Sequence, residues 1–278
     1  LLPGVGAYLL FTFAPLLHTV WLSFYDWDGI TVGTWSGLDN YRTILSDPDV
    51  RGAFVHSLVL VVFYALLPIV LGLLLASLLS RFRVRGLTAF RTILFMPQTV
   101  AMVVVAQAFV WIYAPDGPVN VVLRRIGLDS VARGWLGDFR WALPSLGLVG
   151  TWVTYGLCMV LFVAGVQKIP ASLYEAARVD GAGAFREFMA VTLPGLRNEV
   201  AVALTLTTIT ALRSFDLIYN TTQGGPGGTT RVPSVLIYQN AFRNGRVGVA
   251  CAVAVILTVI IFAIAWLIGR VADRTDDA

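Results

Sequence analysis

Six long stretches of this chain are almost free of charge: residues 2–22, 54–80, 88–113, 145–166, 200–218 and 249–268. A helix rises about 1.5 Å per residue, so about 20 apolar residues cross the hydrocarbon layer of a bilayer. The stretches therefore predict six transmembrane helices and an all-α, polytopic membrane protein. Irregular backbone facing lipid would leave its N–H and C=O groups without partners. Composition agrees, with 13% charged and 57% apolar residues against roughly 25% and 45–50% in soluble domains. Pro15, Pro68 and Pro97 fall inside the stretches, where neighbouring helices can satisfy the backbone groups that proline frees. Trp21, Tyr25, Trp27, Trp111 and Tyr113 stand at their ends, as an interfacial aromatic belt would. No internal repeat or low-complexity linker divides the chain, which reads as one transmembrane domain over 1–278.

Several function classes lose their footing at once. The net charge of +4 comes from nineteen Arg and the single Lys168, scattered between spans rather than gathered into a nucleic-acid-binding patch. Cys158 and Cys251 lie inside apolar stretches and read as small buried hydrophobes, not as a disulfide or a metal pair. His18 and His56 have no third ligand at metal spacing. An intramembrane hydrolase would need a facing Ser/His or paired-Asp arrangement, but Ser57 directly follows His56 and so points from another helix face. No catalytic residue is assigned. The Gly-rich run at 222–228 lacks the Gly-Lys-Ser/Thr of a phosphate-binding loop, so the chain is not an ATPase of that type. The sequence opens on Leu1 rather than Met, which implies preceding residues; a cleavable leader cannot be judged from it.

Orientation is not decided by charge. With six spans, the two loop sets carry nine basic residues each, so the positive-inside count balances. The acid-free Arg81, Arg83 and Arg85 cluster favours a cytoplasmic position for its loop.

Between the fourth and fifth stretches lies the polar loop 168–198, and within it the run EAARVDGAGAFREFMAVTLP from Glu175 to Pro194. Pro170 suits the first turn of a helix, with Ser172 or Glu175 available to cap it. Leu173, Ala176, Ala177 and Asp180 follow at helical spacing, giving a short helix whose flat Ala face another protein could approach closely. Gly181 and Gly183 should stop it, a second helix should cover 184–192, and Leu193-Pro194 should open the next span. The spacing of Glu175, Ala176, Ala177, Gly181, Leu193 and Pro194 closely resembles the coupling-loop signature of ABC importer permeases. Asp180 stands in its frequent Asp-Gly-Ala form, and Gly183 follows it. The runs at 23–29, 37–41, 90–98, 113–120, 215–230 and 237–242 also look like carbohydrate-uptake permeases of the maltose/glycerol-phosphate type, specifically the first of two paired subunits. Around Thr222 the usual form is closer to LTGGGP and here reads TTQGGP.

The resemblance implies a type I ABC importer permease fold in a bacterial cell membrane, and a non-catalytic subunit. Its implied partners are a second homologous permease, two ATP-binding subunits that use ATP and Mg, an extracytoplasmic solute-binding protein, a sugar substrate and the bilayer. No cofactor is implied on this chain. A sugar path needs hydroxyl-bonding groups and aromatic faces inside the membrane, where polar groups are otherwise expensive. Thr151, Thr154 and Tyr155 share one face of the fourth stretch, and Thr207, Thr210 and Ser214 form a stripe on the fifth. These are the candidate pathway residues, with Arg213 and Asp216 spaced to pair. Gly224, Gly225 and Pro226 form a candidate loop facing the binding protein. A cargo of glycerol phosphate or a glycerophosphodiester is the alternative, for which Arg213 is the one available cation.

Overall fold

The computed structural model describes residues 2–81 and 86–274, so Arg83 and Arg85 of the cationic cluster, and the Arg81 side chain, lie outside the description. Among the described residues five helices are long and apolar enough to cross a membrane: α1 (Pro3–Leu22), α3 (Pro48–Leu79), α7 (Ala142–Val166), α10 (Arg197–Thr221) and α12 (Val247–Ala272). A sixth span forms only if α4 (Thr88–Thr99) and α5 (Met102–Ile112) are taken together. Shorter helices α2 (Asp39–Ser46), α6 (Pro118–Arg125), α8 (Ala171–Val179), α9 (184–195) and α11 (233–243) fill the connections. A two-residue pairing, β1 (Tyr25–Asp26) antiparallel to β2 (Thr34–Trp35), closes the turn after α1.

Two predicted spans differ from simple helices. The 88–113 stretch turns by 93° between α4 and α5. Pro97 removes one backbone donor, and Val100 and Ala101 are extended at ψ 133° and 132°. The 200–218 stretch begins at Arg197 and unwinds at Arg213 (φ −91°, ψ 7°) and Phe215 (φ −128°, ψ −58°) before resuming at Asp216. The second span begins at Pro48, because Asp47 accepts from the Asp49 N–H and Pro48 occupies the first helical turn.

The packing of α3 against α7 organises the rest. Pro68 has no N–H to give the Tyr64 carbonyl, and a wide turn over Val62–Leu66 sends the Leu67 N–H to Val62. The Phe63 and Tyr64 carbonyls are thereby deprived of their usual donors. Thr151 Oγ1 donates to Phe63 O at 2.6 Å, and Thr154 Oγ1 to Tyr64 O at 3.3 Å. Gly147 and Gly150 make this approach possible, since a Cβ on either would overlap the Phe63 or Tyr64 ring. One turn-pair further on, Gly72 sits against Cys158, which is fully buried. By contrast no residue of α1 is fully buried within the chain, and Phe11 is 77% and Trp21 57% exposed, although Thr19, Val20 and Leu22 are half-buried.

Removing the hydroxyls tests this lock. Thr151→Val and Thr154→Val should each destabilise the solubilised protein by about 0.5–1.5 kcal/mol, the range for interhelical hydrogen bonds in membranes. Gly150→Ala should abolish accumulation of folded protein. Thermal unfolding followed by fluorescence-detected gel filtration reads both.

Candidate coupling loop and translocation site

The polar loop is a helix–turn–helix held from beneath. Helix α8 has no side-chain cap: Pro170 itself occupies the N-cap position, and neither Ser172 nor Glu175 closes the first turn. Its end is explicit. Asp180 is the C-cap, and Gly181 takes φ +74°. The Gly181 N–H bonds the Arg178 carbonyl at 3.0 Å and the Ala182 N–H the Ala177 carbonyl at 2.9 Å. This is the double bond pattern that glycine supplies at helix ends. Gly183, at φ −72°, needs no such freedom and begins α9. Leu193-Pro194 finishes α9 rather than opening the next span, because the chain breaks at Leu196 (φ −101°, ψ 4°) before α10.

Residues absent from the sequence prediction brace the two helices. Arg178 Nε lies 3.3 Å from Glu187 Oε2, and the Glu187 carboxylate is buried while Arg178 stays exposed. Tyr174 and Thr192 pair through their hydroxyls at 3.3 Å. Lys168 Nζ meets Glu199 Oε1 at 3.0 Å across the base of the loop, and Gly165 admits the buried Leu196. The signature residues divide accordingly. Glu175, Ala176, Asp180, Gly181, Gly183 and Pro194 are exposed, whereas Ala177 and Leu193 are half-buried. Glu175 and Asp180 side chains have no hydrogen bond or ion pair among the described residues, and a Cβ on Gly181 or Gly183 would meet nothing within 4 Å. Leu193 lines an apolar groove of about 610 Å³ with Phe185, Phe188 and Met189 from α9 and Val70, Leu74 and Leu78 from α3. The loop is thus a preformed knob with its contact face open.

The candidate pathway residues fall into two groups. Thr151 (6% exposed) and Thr154 (3%) bind α3 carbonyls, as described above, and their own i−4 carbonyls. Thr207 is buried, donating to Ala203 O at 2.7 Å. Tyr155 is half-buried. None of these four lines the recess described next. Thr210 and Ser214 do: with Tyr64, Met102, Ile209, Arg213, Phe215, Asp216 and Leu217 they line a recess of about 230 Å³. The unwound step of α10 creates it, and that same step changes the expected ion pair. Arg213 and Asp216 would face each other on a continuous helix; here both are exposed with no ion pair among the described residues. The Ser214 Oγ lies 3.5 Å from the Tyr64 hydroxyl. Tyr64, Met102 and Phe215 were not foreseen; a lone Tyr in an apolar run four residues before Pro68 was the available signal for the first.

At the far end of α10 from the coupling loop, residues 222–231 fold into a fixed turn. Gly224 is buried, and Gly225 and Pro226 are half-buried. Thr222 and Thr230 pair through their hydroxyls at 2.7 Å, and Arg231 forms an ion pair with Asp49. The His56 Nδ1 is 2.8 Å from Arg231 O rather than on Ser57, so no Ser/His dyad is assembled there.

Comparison with known proteins now bears on these features. Residues 68–277 match the family described as "Binding-protein-dependent transport system inner membrane component". The chain belongs to that family. It is 37% identical over 267 residues, 94% of this chain and 90% of the relative, to the "Probable ABC transporter permease protein YurN" of Bacillus subtilis. It is 34% identical over 279 residues, 97% of this chain and 92% of the relative, to the "Trehalose/maltose transport system permease protein MalF" of Thermococcus litoralis. Among solved structures, a chain of a bacterial ABC transporter "involved in the import of the acidic polysaccharide alginate" superposes with a TM-score of 0.84 at 25% identity, covering 98% of this chain and 93% of that one. The fold is that of a type I ABC importer permease. The protein is a multi-pass inner-membrane component and a non-catalytic subunit, with ATP hydrolysis on a separate chain.

The glycine geometry separates two positions that a sequence motif treats alike. Gly181→Ala should destabilise α8 by about 1–2 kcal/mol, the cost of a left-handed non-glycine residue, and Gly183→Ala by less than about 0.5 kcal/mol. Amide hydrogen exchange across 171–183 in the assembled protein measures the difference.

Proposed function

We propose that this chain is the permease of an importer for a sugar or oligosaccharide, working by alternating access, with α8 as the element through which a separate ATPase drives it. The observation that carries this reading is the division of labour in the polar loop. The Tyr174–Thr192, Arg178–Glu187 and Lys168–Glu199 contacts hold the loop from beneath, while the Glu175 and Asp180 side chains face outward without a side-chain partner among the described residues. A surface so arranged transmits motion from a docked protein as a rigid body. Its force reaches the recess through a short path, since α10 begins at Arg197 and unwinds at Arg213, roughly 25 Å away at helical rise. Closure of two ATP-binding subunits on ATP and Mg would move α8, and α10 with it, opening the recess alternately to the two faces.

In this proposal Thr210, Ser214, Tyr64 and Phe215 contact cargo, because hydroxyls and an aromatic face at an unwound helix suit a neutral polyol inside the bilayer. Thr151, Thr154 and Thr207 serve helix packing. Tyr155 has no assigned contact. The relatives named for trehalose/maltose, lactose and diacetylchitobiose transport support a sugar cargo. A glycerol phosphate or glycerophosphodiester cargo draws support from the unpaired Arg213, but Asp216 on the same recess opposes an anion. A second homologous permease completes the pathway, and a loaded solute-binding protein docks at the end carrying Gly224, Gly225 and Pro226; a solved alginate transporter with a bound periplasmic protein supports that last arrangement.

Charge reversal and bulk on the open face test the coupling role. Glu175→Arg and Gly181→Trp should leave the permease inserted and its partners expressed, yet reduce binding-protein-stimulated ATP hydrolysis and sugar uptake at least tenfold. Uptake at the native rate with both changes in place would overturn the proposal.

A further inference from the structure

A ladder of aromatic rings leads out of the recess. Phe215, which lines it, stacks on Tyr219 with centroids 5.0 Å apart and planes inclined 15°. Tyr219 meets Tyr238 edge-on at 4.8 Å, and Tyr238 meets Phe242 at 5.2 Å. The first pair is spaced i, i+4 on α10 and the second i, i+4 on α11, so each helix presents its two rings on one face. The first three rings are half-buried and Phe242 is 77% exposed. The ladder therefore runs from the recess toward the end of the molecule opposite the coupling loop. Its margin is rich in groups that hydrogen-bond hydroxyls. Arg243 reaches the Tyr219 hydroxyl at 3.3 Å and lies 5.8 Å over its ring. Gln223 joins this edge through Arg243 at 3.5 Å, and Gln239 through Gln223 O at 3.4 Å.

We propose that these four rings are a binding track for pyranose rings, carrying an oligosaccharide between the outer mouth and the recess; this rests on the sugar reading above. One face of a pyranose presents axial C–H bonds, slightly positive, which suit the electron-rich face of an aromatic ring. Its hydroxyls meanwhile demand amide and guanidinium partners at the rim. A core cluster would need neither the exposed Phe242 nor the loosely held amides. Partly exposed rings also bind weakly and repeatedly, which allows a cargo to move from ring to ring rather than stop.

The test uses the assembled importer in proteoliposomes with its ATPase and loaded binding protein. The cargo is whichever member of a trehalose, maltose, lactose and diacetylchitobiose panel the native complex takes up, together with its tetrasaccharide homologue. The readout is sugar moved per ATP hydrolysed. Tyr238→Ala and Phe242→Ala should lower that ratio about three- to tenfold, the equivalent of one lost aromatic contact. The loss should be greater for the tetrasaccharide, while stimulated ATPase stays within about twofold of native. Tyr238→Phe and Phe242→Trp should restore the ratio. An unchanged ratio in both Ala variants overturns the track. So does a parallel loss of ATPase stimulation, which would mark the ladder as a protein-docking or structural element. A native complex whose binding protein carries a cargo that is not a saccharide overturns the cargo reading itself, and with it the track.

Discussion

The structure depends on one constraint: inside a bilayer, a carbonyl deprived of its helical donor must find another. Pro68 and the wide turn before it leave the Phe63 and Tyr64 carbonyls in that condition. Thr151 and Thr154 answer them from α7, and the close approach this requires is possible only because Gly147 and Gly150 have no side chains. Hydrophobic burial does not distinguish one helix pairing from another when lipid is as apolar as leucine. Two hydroxyls aimed at two orphaned carbonyls do. The register of α3 against α7 follows, and with it the position of Tyr64 beside the unwound step of α10.

The 168–198 loop hangs from the other end of the same pair. α7 leads into α8 through Pro170, and the loop's base closes through Lys168 and Glu199 and through Leu196 against Gly165. α9 rests its Phe185, Phe188 and Met189 side over the lower part of α3. The knob that faces outward is therefore built on the packed core of the chain, and α10 rises from it directly to the recess. α9 joins α8 to the helix that carries Thr210, Arg213 and Ser214.

Regular structure gives way at three places. α10 unwinds at 213–215, the α4–α5 pair turns by 93°, and the 222–231 turn takes several left-handed glycines. Non-helical backbone at membrane depth is tolerated where it borders a cavity or is covered by protein, and the recess adjoins the first of these breaks. The threonines that looked like a pathway on a helical wheel sort by this criterion. Thr151, Thr154 and Thr207 donate to carbonyls away from the recess, whereas Thr210, which also donates to Leu206 O, and Ser214 border it next to the break.

From sequence alone, charge scarcity over six stretches determined a helical membrane protein, since only self-satisfied backbones cross lipid. The Glu175–Pro194 run carried the family, because a surface loop built from one continuous stretch keeps its residues in sequence order, and Gly181 was legible as a helix stop by its chemistry. Tertiary structure decided what spacing could not. It brought Glu187 and Tyr174 to the underside of the loop, where partners nine and eighteen residues apart meet only across a turn. It separated Arg213 from Asp216 by unwinding the helix that should have paired them. It drew Phe215, Tyr219, Tyr238 and Phe242 into one ladder from two helices. Each of these is a contact between elements, and the angle at which helices meet is set by small residues and freed carbonyls on both partners at once, which no single stretch of sequence contains.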